Sequence, residues 1–180
     1  MDPYELITKY YPINSDIYRL LVTHSRNVAD KALAIARNHP EMNLDLSFIE
    51  EAAMLHDIGI FLCNAPGIGC YGDMPYICHG YLGADLLRKE GYVRHALVCE
   101  RHTGTGITRQ MIEEQNLPLP DRNFVPETLE EQIICFADKF FSKTKPFQEK
   151  SVTKVKKGLS KYGKETVERF DEWRKRFLKE

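Results

Sequence analysis

His56 and Asp57 end an otherwise apolar run, Ala52-Ala53-Met54-Leu55-His56-Asp57-Ile58-Gly59. In a helix, Ile49, Ala52, Ala53 and His56 stand at i, i+3, i+4 and i+7, so the imidazole falls on the face that turns inward. Asp57 follows directly, and a buried carboxylate is costly unless it is paired or bound to a metal. Gly59 reads as the stop just past the helix end. A lone His-Asp pair is more often a core histidine bonded to its neighbour than a site. The rest of the chain changes that balance.

Four more residues of the same chemistry occupy comparable positions. His24 is the strongly polar member of the stripe Ile17, Leu20, Leu21, His24, Val28, Ala32 and Ile35. His79 shares a face with Leu82 and Leu86, His102 stands three residues after Cys99, and Asp138 lies between Ile134 and Phe141. Burying these groups without a common partner costs on the order of several kcal/mol. A metal site removes the cost in one step. Imidazole with carboxylate suits iron, manganese, nickel or zinc, and the lack of cysteine in the set argues against a structural thiolate zinc. Six candidate ligands exceed what one tetrahedral ion takes. Two divalent ions bridged by Asp57, the acid next to a ligand, are the economical arrangement.

The elements that must hold these residues all read as helices. Asp2 and Pro3 start a short first helix that ends near Tyr11-Pro12, and Asn14 or Ser15 caps a long one running to Asn38. His39-Pro40 closes it, with His39 read as a surface or dipole residue. Ser47-Phe48-Ile49-Glu50 has the form of a capping box for the His56-Asp57 helix. Ile60 to Met74 has no clear period and reads as a lid or binding loop. A helix from Pro75 to Gly91 carries His79, and Val93 to His102 is another, broken by Thr103-Gly104-Thr105-Gly106. A short helix spans Arg109 to Gln115. Thr128 opens a capping box for a helix from Leu129 to Ser142 that carries Asp138, and two helices follow, bracketed by Ser151 and Gly163 and by Lys164 and Phe177. In the last, Val167, Phe170, Trp173 and Phe177 face inward as packing. The expected fold is therefore an all-α bundle. It forms one domain over residues 1–180, with a core at about 14–142 and basic C-terminal helices, 143–180, packed on it.

Composition excludes several classes. No apolar run approaches the ~20 residues of a membrane helix. Met1-Asp2-Pro3-Tyr4-Glu5 lacks the basic start of a signal peptide, so a cytoplasmic protein is expected. The five cysteines, Cys63, Cys70, Cys78, Cys99 and Cys135, form no C-x-x-C pair and read as reduced thiols. From Ser142 onward there are 13 Lys and Arg against 6 Asp and Glu, whereas the remainder has 12 against 20. Such a split marks either a solvated helical face or a phosphate-contact surface, the first being commoner.

The order His24, His56-Asp57, His79, His102, Asp138, with the flanking text Leu-His-Asp-Ile-Gly and Phe-Ala-Asp-Lys, resembles the HD superfamily of metal-dependent phosphohydrolases in its HDIG-containing branch, from about Ile17 to Ser142. The resemblance implies a helical HD-type fold in which His24, His56, Asp57 and Asp138 bind a first metal and His79 and His102 help to bind a second. It implies hydrolysis of a phosphoester or phosphoanhydride of a nucleotide-like small molecule by a metal-bridged hydroxide, with Asp57 as the catalytic residue. Small relatives that split symmetrical dinucleoside tetraphosphates have a similar pattern around His79 and His102. The Gly-Tyr-Pro of the cyclic-di-GMP branch is replaced by Thr103-Gly104-Thr105, so that substrate is not expected.

Positive charge for the departing group is expected from Arg101, Lys139, Lys143 and Lys145, with an anion-binding nest at Thr103 and Gly104. His95 is read as a helix-face residue. Substrate specificity is expected in Ile60 to Met74 and Thr103 to Arg109. Two other functions use the same residues differently. A mixed-valence di-iron oxygenase has the same ligand set and consumes oxygen. A non-catalytic RNA or protein-interaction module would bind through the basic C-terminal segment and survive Asp57→Ala. Hydrolysis is the favoured reading. Membrane and nucleic acid are not expected as partners, and an oligomer is possible.

Overall fold

A computed structural model describes residues 1–178. Among them are nine α-helices, several 3-10 turns and a single two-stranded hairpin: α1 (Pro3–Tyr10), α2 (Asp16–Arg37), α3 (Leu46–Leu55), β1 (Asn64–Ala65), β2 (Cys70–Tyr71), α4 (His79–Lys89), α5 (Val93–Arg101), α6 (Arg109–Glu114), α7 (Leu129–Asp138), α8 (Val152–Leu159) and α9 (Lys164–Phe177). The expected all-α fold is what the chain adopts. No helix of the described residues is long and apolar enough to cross a membrane.

Local chemistry sets most boundaries. Asp2 accepts the Tyr4 N–H at 2.9 Å with Pro3 in the first turn, and Ser15 Oγ accepts the Tyr18 N–H at 3.2 Å. Asn14 takes a left-handed turn, φ 66°, and so leaves the cap to Ser15. The cap of α3 is Asp45 rather than the expected Ser47, because the Asp45 carboxylate accepts the Phe48 N–H at 3.0 Å. Ser47 instead reaches Glu51, one turn on. The helix expected to run to Ser142 stops at Asp138, where Lys139, Phe140 and Phe141 close i−3 turns on Phe136, Ala137 and Asp138. His39 is buried rather than on the surface: its ring nitrogens reach the Glu41 carboxylate at 2.8 Å and the Phe177 carbonyl at 3.1 Å, tying the end of α2 to the end of α9.

Helices α2, α3 and α7 pack on one another, α5 packs on α3, α4 and α7, and α9 covers α7. Their shared core holds Leu21, Val28 and Ala32 of α2, Ile49 and Ala52 of α3, and Ile133, Ile134 and Phe136 of α7. Phe170 stacks on Phe136 at 5.0 Å between centroids, and Phe177 meets the same ring edge-on at 5.7 Å. Val167 is only partly buried, and Thr166 takes the inward position beside it. The segment from Ile60 to Met74, expected as a lid, is folded down. Ile60, Cys63 and Cys70 are buried, and β1 pairs antiparallel with β2.

Two contacts fix the turn that follows α3. Tyr11 is fully buried, donates its hydroxyl to the Ile58 carbonyl at 2.7 Å and accepts the Phe61 N–H at 3.4 Å. Gly59 has φ −86°, so it is not the left-handed helix stop expected from its position. It is needed for close approach, because a Cβ there would lie 2.3 Å from the His79 carbonyl oxygen and 2.5 Å from the Gly83 nitrogen. The backbone of α4 therefore touches the His-Asp turn directly.

Gly59→Ala is expected to push α4 off this turn and cost about 1–3 kcal/mol, the usual range for overpacking, read from urea denaturation. Tyr11→Phe keeps the ring but leaves the Ile58 carbonyl without its donor, with an expected loss of about 1–2 kcal/mol in the same assay.

Candidate metal centre

Three helices end at the cluster. His56 follows the last residue of α3, His102 follows the last residue of α5, and Asp138 is the last residue of α7. His24 comes from the middle of α2, and His79 opens α4. All four rings and Asp57 are buried, and the side chain of Asp138 is nearly so.

Three of the rings are oriented in the same way. Nδ1–H donates to the carbonyl three residues back: His56 to Ala53, His79 to Tyr76 and His102 to Cys99, each at 2.6 Å. A carbonyl only accepts, so Nδ1 carries a proton and Nε2 is the nitrogen turned toward the cluster. The Nε2 atoms converge. His24 Nε2 is 2.9 Å from Asp138 Oδ1 and 3.3 Å from Asp57 Oδ2, and His56 Nε2 is 3.1 Å from the same Asp57 oxygen. His79 Nε2 and His102 Nε2 lie 3.2 and 3.3 Å from the other oxygen, Asp57 Oδ1, and 3.0 Å from each other. Asp57 thus faces one ligand set with each of its oxygens. Two groups have metal-ligand spacing, His24-His56-Asp57-Asp138 and Asp57-His79-His102, and both include Asp57.

The donor set fits a metal. His56 Nε2, His24 Nδ1 and Asp57 Oδ1 are buried without a hydrogen-bond partner, and Asp57 Oδ2 has the Lys143 ammonium at 2.7 Å. Two bare nitrogens 3.0 Å apart repel unless a proton or a cation lies between them. Burial alone would raise the Asp57 carboxyl, but His56, Lys143, His102 and His24 outweigh it and hold it well below the usual carboxylate range. Asp138 is likewise held low against burial, chiefly by Lys139 and then by the His24 and His56 contacts. Burial pushes His102 down to about 4, against the pull of Asp57. At His56 burial also acts downward, and the carboxylates of Asp57 and Asp138 reverse it, raising the group to about 10.

Of the expected substrate residues, the structure brings Lys143 and Lys139 to the centre. Lys143 Nζ is 2.7 Å from Asp57 Oδ2, and Lys139 Nζ is 2.8 Å from Asp138 Oδ2 and donates to the His102 carbonyl at 2.9 Å. Thr103 and Gly104 line the adjoining cavity. The loop they begin is pinned: Thr105 is fully buried, its Oγ1 donates to the Thr166 carbonyl at 3.1 Å, and the Gly106 N–H is used on Thr103 O. Arg101 and Lys145 are placed elsewhere. Arg101 pairs with Glu131 at 3.0 Å and with Glu127 at 3.3 Å, and Lys145 is exposed outside the cavity lining. His95, read as a helix-face residue, pairs with Glu51 at 2.9 Å.

The cavity holds about 940 Å³ and opens from His24, His79 and Asp138. None of the residues from Ile60 to Met74, where specificity was expected, lines it. Its apolar lining includes Ile77, Ile107, Met111 and Leu117 and, on the α8 side, Val155 and Leu159, with Tyr76, whose ring stacks on His79 at 4.5 Å. Tyr76 escaped the sequence reading although it stands at i−3 from His79, where its carbonyl orients that ring. Lysines of α8 and its flanks also line the cavity.

The chain is 37% identical over 142 residues to a tRNA (cytidine(56)-2'-O)-methyltransferase of Thermoplasma volcanium, covering 77% of this chain and 37% of that protein. It is 36% identical over 124 residues to the tRNA (cytidine(56)-2'-O)-methyltransferase of Picrophilus torridus, covering 68% of this chain and 32% of that one. The chain therefore spans about a third of the length of these two enzymes. It is also 33% identical over 147 residues to an uncharacterized protein of Methanocaldococcus jannaschii, covering 80% of this chain and 78% of the relative. No solved structure matches with comparable significance. The family model for the HD domain matches residues 21–142, which contain all six converging side chains, and the chain belongs to the HD-domain family.

Proposed function

We propose that the chain is a metal-dependent phosphohydrolase acting on a phosphoester or phosphoanhydride bond of a nucleotide-like substrate. The observation that carries the reading is the placement of Asp57, one oxygen toward His24, His56 and Asp138 and the other toward His79 and His102. His24, His56, Asp57 and Asp138 would hold one divalent ion, and Asp57, His79 and His102 a second. Such ions, of iron, manganese, nickel or zinc by the chemistry of the donors, supply Lewis acidity toward a phosphoryl oxygen and bring a bound water to a pKa of about 7.

The chain's own groups do the rest. Asp57 orients the attacking water; its carboxyl, held well below the usual carboxylate range, stays ionised, and the proton of a water with a pKa of about 7 passes to solvent. Lys143, 2.7 Å from Asp57, and Lys139, beside Asp138, place ammonium groups where negative charge develops on the phosphoryl and leaving oxygens. The apolar lining, Ile77, Ile107 and Met111 among it, keeps water from one side of the cavity and offers a surface for a base. The names of two relatives refer to tRNA, which supports a nucleotide or polynucleotide phosphate as substrate. Methyl transfer itself is not proposed, since the matched third of those enzymes overlaps the span of the HD model.

Metal content is the first check. Purified protein is expected to hold up to two divalent ions per chain by elemental analysis, and added Mn²⁺ at a hundred times its Kd is expected to stabilise the fold by about 2.7 kcal/mol. Affinity should tighten as pH rises, because imidazoles and carboxylates bind only when deprotonated. Phosphate release from a panel of nucleotides, measured without oxygen and with Mn²⁺ or Fe²⁺, is expected to fall by about 100-fold or more in Asp57→Ala. Release that survives this substitution would overturn the reading. Oxygen uptake by iron-loaded protein, with no phosphate released, would replace it with the oxygenase.

A further inference from the structure

Six lysines line the cavity, Lys139, Lys143, Lys150, Lys154, Lys157 and Lys161, against a single lining carboxylate, Asp138. Lys139 and Lys143 are engaged by Asp138 and Asp57. The other four are different. Among the described residues, no carboxylate stands within ion-pair distance of Lys150, Lys154, Lys157 or Lys161; of the lysines nearby outside the cavity lining, Lys156 pairs with Asp171 at 2.6 Å and Lys164 with Glu168 at 3.2 Å, while Lys145 and Lys175 stand on the exposed surface.

Their spacing, i, i+4, i+7 and i+11, keeps them on one face of α8 and its flanks. At about 1.5 Å per residue, Lys154 to Lys161 alone extends on the order of 10 Å. Lys150 feels Lys139, Lys154 and Lys143 together: burial lowers its ammonium first, and these charges act in the same direction, with Asp138 opposing. The row is therefore continuous with the lysines at the metal centre. A single phosphoryl group held there by ions, Lys139 and Lys143 leaves four unpaired ammonium groups repelling one another along the remaining cavity wall.

We propose that Lys150, Lys154, Lys157 and Lys161 form a second phosphate subsite, so that the substrate carries a chain of further phosphates beyond the one attacked. This rests on the hydrolase reading for the identity of the attacked phosphate, but not for the binding itself. A chain of this kind is either the polyphosphate of a free nucleotide or the phosphodiester backbone at the end of an oligonucleotide. Tyr162, exposed on the same lining with Lys161 Nζ 4.9 Å from its ring centroid, offers its other face to a base in either case.

The test is calorimetric titration of the full chain in EDTA, which prevents turnover, with AMP, ATP and a 5′-phosphorylated triadenylate. ATP, the triadenylate or both are expected to bind about tenfold or more tightly than AMP, and Lys154→Ala with Lys157→Ala is expected to remove that advantage. Lys89→Ala with Lys175→Ala, which removes the same charge from exposed positions outside the cavity, is expected to keep it. For the triadenylate, the slope of log K against log salt should become shallower by about 1.4 when two contacts are lost. An advantage confined to ATP assigns the subsite to free polyphosphates, and one confined to the triadenylate assigns it to nucleic-acid ends. Equal binding of all three ligands overturns the proposal, as does equal loss in the control variant. If the lysine-dependent binding stands while metal-loaded protein cleaves no phosphoester or phosphoanhydride bond in any of the three, read by chromatography of the nucleotide products, the hydrolase reading fails and the subsite does not.

Discussion

The Nε2 atoms of His79 and His102 face each other at 3.0 Å, and both face one oxygen of a carboxylate shut away from water. Neither ring can turn aside, because each holds a main-chain carbonyl through its other nitrogen. The arrangement is electrostatically incomplete as a set of protein groups. Its buried His56 Nε2 and Asp57 Oδ1 have no hydrogen-bond partner, and their geometry suits a divalent cation. Most other features of the molecule follow from keeping this cluster together.

The close approach at Gly59 is one of them. Asp57 can face two ligand sets only if α4, which brings His79, lies directly against the turn after α3, and any Cβ at Gly59 would keep the two apart. Tyr11 holds the same turn from the other side. The cysteines serve the scaffold too: Cys99 Sγ bonds the His56 carbonyl at 3.0 Å and Cys135 Sγ bonds the His102 carbonyl at 3.3 Å, with burial raising both thiols. Buried thiols with partners of this kind are packing groups, not nucleophiles.

The periodic parts of the sequence were the legible ones. His24, His56, His79 and His102 could be placed because helical stripes point inward regardless of what lies opposite, and Asp138 stood out as an acid among Ile, Ala and Phe. Harder to read was everything set by contacts between distant segments. Asp45 outcompetes Ser47 as a cap because a carboxylate accepts the Phe48 N–H, and Arg94 pairs with its free oxygen at 2.7 Å. Gly59 looked like a helix stop because sequence shows a glycine without showing the helix pressed on it. Arg101 looked available until Glu131, 30 residues away, was brought beside it. The lysines of α8 read as a solvated face because the cavity they line is closed by residues from other elements.

The order of the helices around the cluster has an electrical consequence. Helices α3, α5 and α7 all terminate at it, so three carbonyl ends, each carrying roughly half a negative charge, point into the same buried volume. Among the described helices, α4 directs its amide end there, with His79 in its first turn. The backbone alone therefore builds a negative well before any side chain is counted, and the well is deep because little water screens it. An anionic substrate entering on its own would be repelled from this floor. The lysine-lined wall and this floor carry opposite signs, so the cavity is polarised from its rim to its base.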